Sequence, residues 1–590
     1  MRESVRNVDL GRRRIVAVLA GAGAAAAVFG RALSALAEGA PKVTAGMVKQ
    51  AEWISGVAFT DEDRALMLED LNETADGIAA LRGVDLDNAV PPAFTFAPLA
   101  GPPAPAAETP PLPARRERPA VRPSSDEELA FSSVKDLGRL LRDRKVSSTE
   151  LTKLYLARLA KYDPVLSCAV TVTSELALAQ AKRADEELAA GRDRGPLHGI
   201  PWGAKDLIAV PGTPTTWGSV PYREQTRPET ATVYRRLEEA GAVLVAKTSV
   251  GELAWGDVWF GGKTKNPWKP DQGSSGSSAG SASATAAGLV GFAIGTETLG
   301  SIVSPCTRCG VTGLRPTFGR VSRHGVMALS WTMDKVGPIA RSAGDCALVF
   351  SAIEGRDPLD PFSAEGPFAW PPRRGLGDLT IGFVEELFDE DRGKDAKTEE
   401  EKARAAEARH FDRRSLDVLR QLGAKLVPLK LPSKTPVGPL SLILTAEAAT
   451  AFDGLVLDGR VRTMVRQTAD AWPNVFRHGR LIPAVEYLRA QRVRTLLMRE
   501  MEQCLSGVDL FVAPTFGGSS LLLTNLTGHP CVVVPNGFRI SDGTPTSITF
   551  TGKLRGEGDV LAVAELFQRA TDFHGRRPKL LEAGTNPAGK

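Results

Sequence analysis

Gln272-Gly273-Ser274-Ser275-Gly276-Ser277-Ser278-Ala279-Gly280-Ser281-Ala282-Ser283-Ala284-Thr285 is the stretch on which the reading of this chain turns. By composition it would pass for a flexible linker. Its surroundings exclude that, because it runs directly into Ala286-Ala287-Gly288-Leu289-Val290 and then into the apolar strand signal Phe292-Ala293-Ile294. Small residues framed by core sequence imply close approach, either of two backbones or of backbone and ligand.

Outward from this stretch, helical and strand signals alternate. Ser147 and Glu150 are spaced as a capping box before a helix whose Leu151, Leu154, Tyr155 and Leu159 share one face. Glu229 to Ala240 reads as a helix stopped by Gly241, and Ala242-Val243-Leu244-Val245-Ala246 as a strand buried on both faces. Alternation of this kind predicts an α/β sandwich with a largely parallel or mixed sheet.

The N-terminal quarter divides differently. Residues 1–37 hold Arg12-Arg13-Arg14, an Ala/Gly-rich apolar run from Ile15 to Gly30, and the small-residue site Ala35-Leu36-Ala37. This is the pattern of a bacterial signal peptide of the twin-arginine type, cleaved on export to the periplasm or the exterior. The run is shorter and less apolar than the ~20 residues of a membrane anchor, so no stable span is expected after cleavage. Residues 38–90 read as a small helical region, 91–124 as a proline-rich linker, and 125–580 as the catalytic domain.

Composition removes several function classes. Lys and Arg number 73 against 69 Asp and Glu, with no basic stripe, so no nucleic-acid partner is expected. Six cysteines in 590 residues form no disulfide scaffold, and Cys306/Cys309 is a lone CxxC without answering ligands. The six histidines show no metal-binding spacing. Gly21-Ala22-Gly23-Ala24-Ala25-Ala26 lacks the strand–helix context of a dinucleotide site, and Gly261-Gly262-Lys263-Thr264 lacks the first glycine of a phosphate loop. No cofactor and no metal are expected.

Two nucleophiles compete. Gly276-Ser277-Ser278-Ala279-Gly280 fits GxSxG, with Ser278 as nucleophile and His529 or His574 as base, but the polar approach Lys269-Pro270-Asp271-Gln272-Gly273 does not suit the strand that such an elbow needs. The second reading comes from a resemblance. Gly276 to Ser281, followed by Gly295-Thr296-Glu297-Thr298-Leu299-Gly300-Ser301-Ile302-Val303-Ser304-Pro305, is similar to the defining segment of the amidase-signature family. Leu197 to Asp206, Pro214 to Ser219, Cys309 to Ser322, Asp334-Lys335-Val336-Gly337-Pro338, Ala513-Pro514-Thr515 and Asn525 to Pro530 continue the likeness in order, over residues 130–575.

The resemblance implies the amidase-signature fold, an α/β domain with a central mixed β-sheet flanked by helices, and a Ser-Ser-Lys triad. Ser301 is the implied nucleophile, Ser277 the bridge, preceded by a cis peptide bond, and Lys205 the base. The backbone N–H groups of Thr298, Leu299, Gly300 and Ser301 are the implied oxyanion hole. The chemistry is coherent: serine needs a base within reach, and burial can strip the proton from a lysine. Asp206, next in sequence, would hold that proton on, but strand alternation turns it to the opposite face.

Leu299, Val303 and Glu297 stand where glycine, arginine and aspartate are common in the family. Leu299 and Val303 are therefore expected to shape an apolar pocket. The implied reaction is hydrolysis of a small-molecule carboxylic amide through an acyl-enzyme on Ser301. An esterase or urethanase with the same triad, and the glutaminase subunit of a tRNA-dependent amidotransferase, are the alternatives.

Overall fold

A computed structural model describes residues 42–85, 93–94, 121–372, 374–394 and 396–580. The signal-segment reading of residues 1–37 lies outside these, as do residues 95–120 of the proline-rich run. The body is built on eleven strands: β1 (Ala169–Val172), β2 (Pro201–Lys205), β3 (Val243–Thr248), β4 (Phe292–Glu297), β5 (Thr312–Arg315), β6 (Lys335–Ala340), β7 (Thr380–Phe383), β8 (Lys425–Pro428), β9 (Leu510–Pro514), β10 (Cys531–Phe538) and β11 (Pro545–Gly552). Their order across the sheet is β1-β3-β2-β4-β6-β5-β10-β11-β9-β7-β8. β2 runs parallel to β3 and β4, β7 runs parallel to β8 and β9, and the remaining pairs are antiparallel, so the sheet is mixed.

The central strands β2, β3, β4, β6 and β9 are buried at every position, and their residues account for much of the apolar core around Trp202, Leu244, Phe292, Ile294 and Val512. Helices cover both faces because a sheet apolar on both sides must be shielded twice. The Ser148–Leu166 helix buries Leu151, Tyr155 and Leu159 as its periodicity predicts. Only half of the expected capping box forms: Ser147 Oγ accepts the Glu150 N–H at 3.0 Å, while the Glu150 carboxylate instead meets Arg122 at 2.5 Å. The next predicted helix starts three residues late, at Thr232–Glu239, since Arg227 ties up Glu229 at its predicted start.

The Gly/Ser-rich stretch departs most from its composition. Ala279–Ala286 is a helix with all eight residues buried. Ser and Gly disfavour helix in isolation, but only their small side chains fit the site: a Cβ on Gly280 would lie 2.1 Å from the Cys168 carbonyl oxygen. One on Gly276 would lie 1.8 Å from that of Gly256, and the Gly276–Ser277 bond is cis.

Residues 42–85 form two helices, Ala45–Ser55 and Asp61–Arg82, which dock on the body. Asp63, 5% exposed, meets Arg462 at 2.6 Å and Arg477 at 3.1 Å, and Arg82 meets Glu486 at 2.6 Å. Val48, Phe59, Met67 and Leu71 close the contact together with Val456 and Leu481. Among the described residues no helix is long and apolar enough to cross a membrane.

Candidate active site

Lys205 ends β2, with its side chain wholly inside the protein. Its Nζ lies 2.8 Å from Ser277 Oγ, 3.0 Å from Ser278 Oγ, 2.8 Å from Thr296 Oγ1 and 3.3 Å from the Thr296 carbonyl oxygen. Burial pushes its ammonium well below the ordinary lysine range, against the pull of Asp334 and Glu297. Asp206 lies elsewhere, as alternation along a strand requires. Its carboxylate pairs with the buried Lys247 at 2.8 Å and accepts the Thr216 N–H at 2.9 Å.

Ser277 stands just before the buried helix, and its carbonyl accepts the Gly251 N–H at 3.3 Å. Ser278, at the N-terminus of that helix, is fully buried. Its hydroxyl donates to the Thr296 carbonyl at 3.1 Å and accepts the Thr296 N–H at 3.1 Å. A hydroxyl so enclosed presents nothing to a substrate, which removes the GxSxG reading. His529 is likewise spoken for, with Nδ1 2.8 Å from Thr527 Oγ1, and burial lowers its pKa to about 4.

Ser301 sits in the loop between β4 and the Val303–Cys309 helix, after Gly300 at φ +82°. It is 7% exposed, and its carbonyl accepts the Ser278 N–H at 3.1 Å, which ties the two serine-bearing loops together. The N–H groups of Thr298, Leu299, Gly300 and Ser301 donate to no acceptor among the described residues. The next two do. Ile302 N–H and Val303 N–H both donate to Glu297 Oε2 at 2.9 Å.

Glu297 is in turn held by Arg315 Nη1 and Asn525 Nδ2, each 2.9 Å from Oε1. Burial alone would raise its pKa, but the charges of Arg315 and Lys335 and the Val303 N–H outweigh that and hold it at about 2. Asp334, behind the same loop, accepts the Thr298 hydroxyl at 2.5 Å and the N–H groups of Leu329 and Ser330 at 2.8 and 2.9 Å. The anchoring roles of Glu297, Arg315, Asn525, Asp334 and Thr296 escape sequence reasoning, although each falls in or beside a segment that carried the resemblance.

A cavity of about 250 Å³ opens beside these groups, reaching Thr296 and Thr298 and walled by Leu207, Met327, Trp331 and Phe362. Val303 does not line it. Its side chain is 0% exposed and packs with Ile302, Cys306 and Val533 under the loop. The expectation that Val303 shapes the pocket is thereby corrected: the turn after Gly300 points position 303 into the core. Leu299 is half-buried in the loop that carries Ser301, and neither of them, nor Ser277 or Lys205, lines that cavity. Cys306 and Cys309 are free thiols in the same helix, pushed up by burial.

Residues 150–522 match the Amidase family model. The A-subunit of glutamyl-tRNA(Gln) amidotransferase from Chloroflexus aggregans is 36% identical over 502 residues, covering 77% of this chain and all of that protein. Its counterpart from Marinomonas sp. is 35% identical, covering 76% and 98%. Peptide amidase from Stenotrophomonas maltophilia superposes with a TM-score of 0.65 at 30% identity, covering 75% of this chain and 97% of its own.

Proposed function

The chain belongs to the amidase-signature family of C–N bond hydrolases, and we propose that Ser301 is its nucleophile, Ser277 its proton relay and Lys205 its base. The observation that carries this reading is the Lys205–Ser277 contact: a wholly buried amine 2.8 Å from a serine hydroxyl, with its following carboxylate committed to Lys247. A neutral amine accepts the Ser277 proton as Ser277 takes that of Ser301, and the freed Ser301 oxygen bonds to the amide carbonyl carbon.

The developing oxyanion meets the N–H groups of Thr298 to Ser301, which have no other acceptor among the described residues. Collapse breaks the C–N bond, and the proton returns through Ser277 to the leaving nitrogen, giving amine and an ester on Ser301. Water, deprotonated along the same path, then releases the acid.

The substrate is a small-molecule amide. Esters and carbamates present the same carbonyl to the same groups, so a panel of matched amide, ester and carbamate substrates fixes the class. A serine-directed fluorophosphonate, with the labelled peptide identified, tests the nucleophile: label on the Ser301 peptide, lost in Lys205→Ala, is expected, and label elsewhere overturns the assignment.

A second reading, the glutaminase subunit of a tRNA-dependent amidotransferase, is favoured by identity along the full length of such subunits. It predicts that glutamine hydrolysis needs added partner subunits. The match covers 77% of this chain, and the chain also carries the Arg12-Arg13-Arg14 segment and the docked helical pair. On that pattern we propose an exported amidase that works alone.

A further inference from the structure

Lys205 is not the only lysine buried at this site. Lys335, 2% exposed, begins β6 directly opposite Glu297 of β4. On the other side of β4, Ala204 of β2 opposes Ile294, which sets Lys205 on the same sheet face as Glu297. Three adjacent strands thus carry lysine, glutamate and lysine on one face, the two lysines two strand spacings across and two residues apart along the strands, ~12 Å.

The Lys335 amine has no hydrogen-bond partner among the described residues. The charged groups around it are Arg315, Glu297, Asp334 and Arg494, and those around Lys205 are Asp334 and Glu297. The two lysines therefore share both carboxylates. Glu297 is paired with Arg315, but Asp334 is met by a hydroxyl and two N–H groups and by no cation within ion-pair distance among the described residues. An apolar side chain would fill the place of Lys335 without the desolvation that a buried, unbonded amine incurs. When protonated, the lysine adds positive charge at that point, a form that Glu297 and Asp334 favour and that burial, Arg315 and Arg494 oppose.

We propose that Lys335 is a positioning residue for the base: it takes up the field of Glu297 and Asp334 that would otherwise fall on Lys205, and so keeps the Lys205 amine free to accept a proton. Burial pushes both lysines well down, so each additional nearby charge weighs on which of them is protonated. The inference rests on the assignment of Ser301 and Lys205 made above.

The test is the pH dependence of fluorophosphonate labelling, with the labelled peptide identified, in the full chain and in Lys335→Met, Lys335→Gln and Lys335→Arg. At ~12 Å and an effective dielectric near 20, losing the charge should move the basic limb upward by about one pH unit, so that labelling below the limb falls about tenfold. Lys335→Arg should bring the limb back. Met and Gln variants whose limb stays in place, or moves down, while the label remains on the Ser301 peptide overturn the role of Lys335 alone. Label that maps to another peptide in the unaltered chain overturns the Ser301 assignment and this inference with it. If Met does not fold, Gln carries the comparison. An Arg variant with a limb displaced upward by a unit also counts against the proposal.

Discussion

Asp206 directly follows Lys205 in sequence, yet its carboxylate is bound 2.8 Å from the Lys247 amine on the neighbouring strand. The separation decides the chemistry, because a carboxylate turned toward Lys205 would hold the base in its protonated, useless form.

The first expectation concerns the base itself. Burial lowers the Lys205 pKa, and the neutral form is the active one, so the rate rises with pH through that lowered pKa along a single basic limb. Lys205→Ala should fold and lose roughly 10²–10⁴ in kcat, the usual contribution of a general base. Rate profiles against pH for both proteins check this. Near-normal turnover in Lys205→Ala would return the search for a base to the histidines.

Lys247→Met should leave the Asp206 charge buried without its partner. Breaking a buried pair from one side is expected to lower stability by about 3–5 kcal/mol. The unbalanced negative charge should also move the basic limb upward. Urea unfolding and the same pH profile measure the two effects separately.

Glu297 gives an acid-side prediction. Its folded pKa of about 2 lies below the ordinary 4.5, so its stabilisation is fully present above pH ~4.5 and is lost as pH falls toward 2. Glu297→Gln removes that part of the acid sensitivity and leaves Arg315 without its anion. The variant should be less stable by about 3–5 kcal/mol at neutral pH and should lose kcat more than it raises KM, since the loop bearing Ser301 is what the carboxylate holds. Unfolding curves between pH 2 and 7 follow the first effect, and steady-state kinetics the second.

Much of this arrangement was legible in sequence because the informative signals were local. The Lys205–Asp206 alternation on a strand and the buried run at 242–246 follow from neighbouring residues, and the two serine-bearing segments from the family resemblance. The helix at Ala279–Ala286 was not, because its composition opposes helix and the distant Cys168 and Ser249 explain the glycine. The supports of Glu297 come from positions 315 and 525, on other elements, and no spacing rule joins them. Val303 misled for a related reason: its chemistry drew attention while its direction was set by the preceding turn.

That correction is testable. Val303→Arg should add no new substrate preference and should destabilise by several kcal/mol, since it places a charge in an apolar cluster. Trp331→Ala, which opens the wall of the cavity that reaches Thr296 and Thr298, should raise KM for bulky apolar amides and leave small ones little changed. Thermal unfolding of the first variant and KM across a size series for the second decide between the two positions.

For residues 1–37 the expected product is a mature chain beginning at Glu38. Mass spectrometry of protein recovered from the native host checks it. An uncleaved chain recovered from cytosol would count against export.

The ion pair between Asp63 and Arg462 joins residues 399 apart, and this bears on how the chain is made. The first helical pair leaves the ribosome long before its docking surface exists. At 5–20 residues per second the wait is roughly 20–80 s, during which Met67 and Leu71 have Val48 and Phe59 beside them but not Val456 and Leu481 to close over them. The N-terminal helices are therefore among the last parts to acquire native contacts, although they are among the first synthesised. Their closure marks a finished body, and a chain stalled before residue 480 would display them as an exposed apolar face for a chaperone or protease to find.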